Sequence, residues 1–99
     1  MASGWVGILT CELHFPEAHS LKEKRQHVRT AKAQLQNRFG ASVAEVDHHD
    51  VWQRTRLTAA CVAREHGEVE RLLDAAERWL HAQAWEVART ERLLVDPDE

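Results

Sequence analysis

The stretch WVGILTCELHF, residues 5–15, decides the fold because it predicts a long strand with one buried face. Alternate side chains of a strand point to opposite faces of its sheet. The positions predicted to face the core are Trp5, Gly7, Leu9, Cys11, Leu13 and Phe15. Pro16 follows and is expected to end the strand, since proline has no N–H for the ladder.

Helical periodicity follows this strand. Ser20 and Glu23 have the spacing of a capping box, in which the serine accepts the amide of N3 and the glutamate reaches back. The apolar residues after it recur at helical spacing, namely Leu21, Val28, Ala31, Leu35 and Phe39. Gly40 supplies a C-terminal stop. We therefore predict a helix over about residues 21–38.

The rest of the chain repeats this order of elements. The expected elements are a short strand SVAEV (42–46), a loop DHHDVWQ (47–53), a second long strand RTRLTAACVAR (54–64), a break at Gly67, a helix with the apolar stripe Val69, Leu72, Leu73, Ala76, Trp79, Leu80 and Ala84, a strand EVARTERLLV (86–95) and a polar tail (96–99). This order predicts one α+β domain over residues 1–99 with the ferredoxin-like split βαβ fold. Its four-stranded antiparallel sheet carries both helices on one face.

The other face of such a sheet has no helix to cover it. The side chains expected there are Val6, Ile8 and Val62, beside His14, Arg56 and Arg64. Apolar residues on an open face predict a protein partner or a homodimer with a second copy of the chain.

Charge is distributed unevenly along the chain. Residues 19–38 contain six basic residues and one acidic residue, a net charge of +5, so the remainder carries −8 to give the total of −3. A basic helix on an acidic body indicates a partner more strongly than the total charge does.

Four of the basic residues share one flank of the predicted helix, within about 80° of one another on a helical wheel. They are Lys22, Arg25, Arg29 and Lys32. Lys24 falls inside the apolar face instead, so its ammonium group must either extend to solvent or find an acidic partner.

Two interpretations of this flank remain open. A charged helix face is often only solvated, but this flank has no acidic side chain at i,i+4 spacing, and like charges at that spacing repel. The alternative is a binding surface for phosphate, reached by Lys22, Lys24, Arg25, Arg29 and Lys32 and extended by Arg38, Arg54 and Arg56. Phosphate contacts would give salt-sensitive affinity that does not depend on base sequence.

Several short motifs occur in an order that resembles a known family. They are a VGxLxxxLH first strand, HSLKEKR (19–25), NRF (37–39), SVAEVD (42–47) and WQR (52–54). The chain resembles the YlxP-like family of small bacterial proteins, which is a family of unknown function. The resemblance implies a ferredoxin-like fold and a gene often found near those for a translation initiation factor and a ribosome-binding factor. That neighbourhood suggests a role in ribosome assembly or translation, so ribosomal RNA or a ribosomal subunit is a candidate partner, and the resemblance supplies no catalytic residues. This chain departs from the family in having His48 and His49 and a longer, more polar C-terminal end.

The loop before the second long strand holds two further candidates. Asp47, His48, His49 and Asp50 are adjacent, so on an extended segment they cannot all point at one ion, and we expect neither a metal nor a cofactor. A small-ligand or enzymatic role of this loop remains a weaker hypothesis. Trp52 is expected to pack as an anchor at the sheet edge, with base stacking beside Arg54 and Arg56 as the alternative.

Other functional classes lack their signatures. Four-stranded RNA-recognition domains require aromatic residues on their two central strands, but the segments GILTCEL and LTAACVA of these strands contain none, and no GXXG or phosphate-binding glycine loop occurs. The glycine-flanked arginine loop of acylphosphatases is also missing. Cys11 and Cys61 are isolated, which indicates reduced core thiols in a cytoplasmic protein. No apolar run predicts a membrane span or a signal peptide. The expectation is a non-enzymatic binding module.

Overall fold

The structure is a computed structural model that describes residues 2–99. Its elements are β1 (Trp5–His14), α1 (Leu21–Phe39), β2 (Ser42–Asp47), β3 (Arg54–Ala63), α2 (His66–His81) and β4 (Glu86–Val95). The strands form one sheet in the order β2-β3-β1-β4, and every neighbouring pair is antiparallel. The ferredoxin-like α+β fold predicted from the sequence is confirmed.

The alternation of β1 decides which side of the sheet becomes the core. Leu9, Cys11 and Leu13 are at most 2% exposed, and Phe15 just beyond the strand is equally buried. On β3, Leu57 and its alternate neighbours face the same side. Both helices pack there, α1 on β2 and β3, and α2 on β1, β3 and β4. Within residues 2–99, the opposite face of the sheet carries no helix.

The ends of α1 largely follow the prediction. The Ser20 hydroxyl accepts a hydrogen bond from the Glu23 amide at 3.1 Å. The Glu23 carboxylate accepts from the amide of His19 rather than from that of Ser20, so the reciprocal bond is made one residue earlier. Gly40 adopts the left-handed conformation with φ 62° that favours glycine and closes the helix.

Helix α2 differs from the prediction at both ends. It begins at His66, so Gly67 lies in its first turn instead of marking a break. It ends at His81, and Ala84 lies outside it. Beyond the helix end, Trp85 is buried against Phe15, with the two rings edge to face at 5.8 Å.

Glycine at position 7 allows α2 to approach the sheet. A Cβ atom added to Gly7 would lie 2.2 Å from Cγ1 of Val69, so a side chain there would push α2 away from β1. In the described part of the chain, no helix is long and apolar enough to cross a membrane.

Candidate functional site

Four basic side chains of α1 form what we call the basic flank: Lys22, Arg25, Arg29 and Lys32. The first three are exposed and Lys32 is half-buried. A shallow surface groove runs between Arg25, Arg29 and Lys32. Within residues 2–99, none of the four has a carboxylate oxygen within 4.0 Å. Three of the four charges predicted from the helical wheel are therefore exposed, and none of the four has an acidic partner among the described residues.

The opposite flank of α1 is occupied by aromatic contacts. The His27 ring stacks on Phe15 with centroids 5.2 Å apart, and the Arg38 guanidinium lies 5.9 Å from the ring centroid of Trp79 on α2. Because that flank faces α2, the basic flank faces away from it, beside the edge strand β2.

Lys24 does not belong to the binding surface predicted for it. Its side chain is buried, and its ammonium nitrogen lies 2.8 Å from Oε2 of Glu45. It also donates hydrogen bonds to the carbonyl oxygens of His48 (2.8 Å) and His49 (3.2 Å). The lysine has found an acidic partner and is inaccessible to a ligand.

The Glu45 carboxylate joins three elements below α1. It lies on β2, pairs with Lys24 of α1 and accepts a hydrogen bond from the hydroxyl of Thr55 on β3. Burial acts to raise the pKa of Glu45, but the hydrogen bonds from Lys24 and Thr55 and the charge of Lys24 bring it below its usual value. The Glu45 carboxylate is therefore ionised at neutral pH.

Three arginines that were predicted to extend the patch lie elsewhere. Arg38 lies on the flank facing α2, where its Nε donates to Gln34 at 2.7 Å. Arg54 lies against His48, with its NH2 3.3 Å from the imidazole Nε2. Arg56 points to the open sheet face, because cross-strand pairing places it opposite Glu12. The fold does not bring these three into the basic flank.

The two histidines of the loop are separated by its backbone. His48 has a positive φ of 64°, and its imidazole lies 3.6 Å from a carboxylate oxygen of Glu12 on the open sheet face. His49 instead lies 3.1 Å from the carbonyl oxygen of Glu45. Among the residues that the structure describes, no three histidine, cysteine or acidic side chains are grouped so as to hold a metal ion.

Trp52 was expected to be a packing anchor, and this prediction is wrong. Its side chain is 53% exposed. Gln53 fixes the loop instead, since its side-chain amide donates to the carbonyls of Pro16 (3.3 Å) and Ala18 (3.2 Å). At the other end of the loop, Lys24 donates hydrogen bonds to the carbonyls of His48 and His49. The loop that carries Trp52 is therefore attached to α1.

The open face of the sheet has an apolar end. It comprises Val6, Ile8, Val62, Leu93 and Val95, which cross-strand pairing brings together. Val62 is 67% exposed and Leu93 58% exposed. Sequence reasoning identified the first three and missed the two residues of β4. The strong alternation of β1 could have located Leu93, but only once its pairing with Ile8 was known.

The other end of this face is charged, with Glu12, Asp47, Arg56, Arg89 and Glu91 as its members. Arg56 lies within 2.5 Å of a Glu12 oxygen and 3.4 Å of an Asp47 oxygen, and Arg89 pairs with Glu91. The hydrogen bond from Arg56 lowers the pKa of Glu12. Four of the five residues line a cavity of about 160 Å³. Both arginines already have carboxylate partners, so the cavity offers no free cation to an anion.

Comparisons with known proteins agree on family and fold. A family model described as "Protein of unknown function (DUF503)" matches residues 6–92. The "Uncharacterized protein YlxP" of Bacillus subtilis (strain 168) is 35% identical over 68 residues, which cover 69% of this chain and 74% of that protein. Among solved structures, the de novo designed protein Foldit4 has a TM-score of 0.51 at 10% identity, covering 94% of this chain and 97% of the design. That similarity concerns the fold alone.

Proposed function

Because the chain belongs to the DUF503 family, whose description names no activity, we propose a function from its own surfaces: it binds RNA through the basic flank of α1. The observation that carries the proposal is the set of four cationic side chains without a carboxylate partner in residues 2–99. The acidic remainder of the chain leaves this flank as its positive surface.

The spacing of the basic flank suits a phosphate backbone. Lys22 and Lys32 are ten residues apart, which is about 15 Å along a helix. A row of cations of this length can meet successive phosphates, whose contacts orient a protein on RNA without reading its bases. Helices without such a role usually alternate acidic and basic residues, as α2 does with Asp74 and Glu77 beside Arg78.

Trp52 adds an exposed aromatic side chain on a loop that contacts α1. The loop is tied to α1 by the two carbonyl contacts of Lys24. Exposed aromatic rings stack unpaired bases, a contact worth about 1–3 kcal/mol per base. The partner class supported by these features is structured RNA with unpaired nucleotides. The gene neighbourhood implied by the YlxP-like resemblance favours ribosomal RNA.

The experiment compares two charge-reversed proteins of equal net charge. Arg25→Glu/Arg29→Glu alters the basic flank, and Arg71→Glu/Arg78→Glu alters exposed positions of α2. Binding to small ribosomal subunits and to their RNA is measured at low salt. We expect the first variant to lose at least about tenfold in affinity, while the second binds nearly as well as the wild type.

A further variant separates stacking from charge. Trp52→Ala removes no charge, so it should weaken binding while leaving the salt dependence unchanged. Equal losses in the two charge-reversed proteins would contradict the proposal, since only net charge would then matter. Absence of binding by the wild-type protein at low salt would also reject it.

A further inference from the structure

We propose that a second copy of this chain covers the open sheet face, with the two sheets packed face to face. The two-fold axis of this dimer would run parallel to the strands, between β1 and β3. The inference does not depend on the RNA-binding proposal, because the face lies on the side of the sheet opposite both helices.

The apolar end of the face provides the burial. Val62 and Leu93 are the most exposed large apolar side chains among the residues described, and both lie there. Val6 and Ile8 lie between them on β1. Such a contiguous exposed patch typically marks a protein interface.

The charged end selects the symmetry. Asp47 pairs with Arg56, Arg56 with Glu12, and Glu12 with Arg89. Across the sheet the charges therefore alternate as minus, plus, minus, plus. A two-fold axis parallel to the strands leaves the position of each residue along the strand direction unchanged. It reverses the order of the strands across the sheet. The reversed row is plus, minus, plus, minus, so each of these four charges meets an opposite charge of the partner. Glu91, which pairs with Arg89 of its own chain, lies nearer the apolar end and is not part of this row.

Specific contacts follow from this symmetry. Arg56 would face the partner's Glu12, and Asp47 would face the partner's Arg89. At the apolar end, Val62 would face the partner's Val6. A two-fold axis across the strands would instead place the charged end of one copy on the apolar end of the other, which desolvates charges without partners.

The available area is sufficient for a dimer. The ten-residue strands β1, β3 and β4 are each about 33 Å long, and the six-residue β2 is about 20 Å long, so at a spacing of about 4.8 Å the flat area is roughly 570 Å² per copy. With full overlap the two copies together would bury about 1,100 Å², above the roughly 1,000 Å² expected of a biological interface. RNA fits this face poorly, because its charged end has three carboxylates and two arginines.

The first test measures mass by sedimentation equilibrium up to about 100 μM protein. We expect the wild type to reach twice the chain mass of 11.4 kDa. Val62→Glu should weaken the dimer by about 30-fold or more. Val51→Glu, at a loop valine that is 40% exposed, is the matched control and should leave it intact. The proposal would be overturned by a monomeric wild type or by a dimer that Val62→Glu does not weaken. A monomeric wild type would assign the open face to a different protein.

The second test examines the symmetry. The double variant Glu12→Arg/Arg56→Glu keeps an ion pair between positions 12 and 56 within each chain, loses the contact of Arg56 with Asp47, and changes the row to minus, minus, plus, plus. Two copies of the variant still place opposite charges against each other at all four positions. A variant copy packed on a wild-type copy places like charges against each other at two of the four positions. We expect the variant to form dimers with itself. When tagged variant and wild-type chains are mixed, the amount of mixed dimer should be at least about tenfold lower than when two differently tagged wild-type chains are mixed. Free exchange would contradict this axis.

Discussion

The inner and outer sides of α1 carry the same kind of charge in opposite surroundings. Lys24 is buried against Glu45 and two backbone carbonyls, whereas Arg25, the next residue, is exposed without a carboxylate partner in residues 2–99. The first charge is used within the fold, and the second remains available to a ligand. The number of basic residues on a helix therefore does not show how many are available to a ligand. The positions of the carboxylates that pair with them do.

The open sheet face repeats this contrast. Arg56 and Arg89 are both paired with carboxylates of the same chain. Arg25 and Arg29 have no carboxylate partner among residues 2–99, although all four arginines lie on the surface of one small domain. The molecule thus separates a positive surface on α1 from a sheet surface whose two arginines are paired with carboxylates.

The largest expected effect concerns the inner side of α1. Lys24→Met should destabilise the protein by about 3–5 kcal/mol, because it leaves the Glu45 carboxylate and two carbonyls below α1 without their cation. Arg25→Met should change the free energy of unfolding by less than about 0.5 kcal/mol. Urea-induced unfolding of the wild type and the two variants measures both changes in the free energy of unfolding. Equal effects would show that the two sides of the helix do not differ as described.

A smaller effect is expected from acid. The folded pKa of Glu45 is below its unfolded value, so its contribution to stability is complete above the unfolded pKa of about 4.3 and is lost as the pH falls through the folded pKa. The difference in unfolding free energy between wild type and Glu45→Gln should therefore be constant near neutral pH and shrink below about pH 4.3.

Glu12, Asp47 and Asp98 also have lowered pKa values, so they too make the stability depend on pH. Their contributions cancel when the unfolding free energy of Glu45→Gln is subtracted from that of the wild type. Chemical unfolding at a series of pH values provides the measurement. A difference that stays constant down to pH values well below the usual range of glutamate would show that the Lys24–Glu45 pair does not hold the carboxylate ionised.

Local patterns were sufficient to predict the elements and the fold. The alternation of residues 5–15, the cap at Ser20 and the stop at Gly40 each depend on neighbours in sequence, and the structure has them within one or two residues. The positions of Lys22, Arg25, Arg29 and Lys32 on one flank follow from helical geometry alone.

The partners of the charged residues could not be predicted in this way. Glu45 is 21 residues from Lys24 in sequence, and they meet only because α1 packs on β2. The pairing of Arg56 with Glu12 depends on cross-strand register. Leu93 was missed because a register shift after Glu12 changes which residues of β4 share a face. Trp52 was misjudged because Gln53, whose amide can satisfy two carbonyls, takes the inward position.

The measurement that most directly tests RNA binding by the basic flank is the salt dependence of affinity. For four phosphate contacts, the logarithm of the association constant should fall against the logarithm of salt concentration with a slope of about −3 to −4. Arg25→Gln/Arg29→Gln should reduce the steepness by about 1.5, and Arg71→Gln/Arg78→Gln should leave it unchanged. A wild-type slope near zero, or the same slope in the Arg25→Gln/Arg29→Gln variant, would contradict the claim that these side chains contact phosphates.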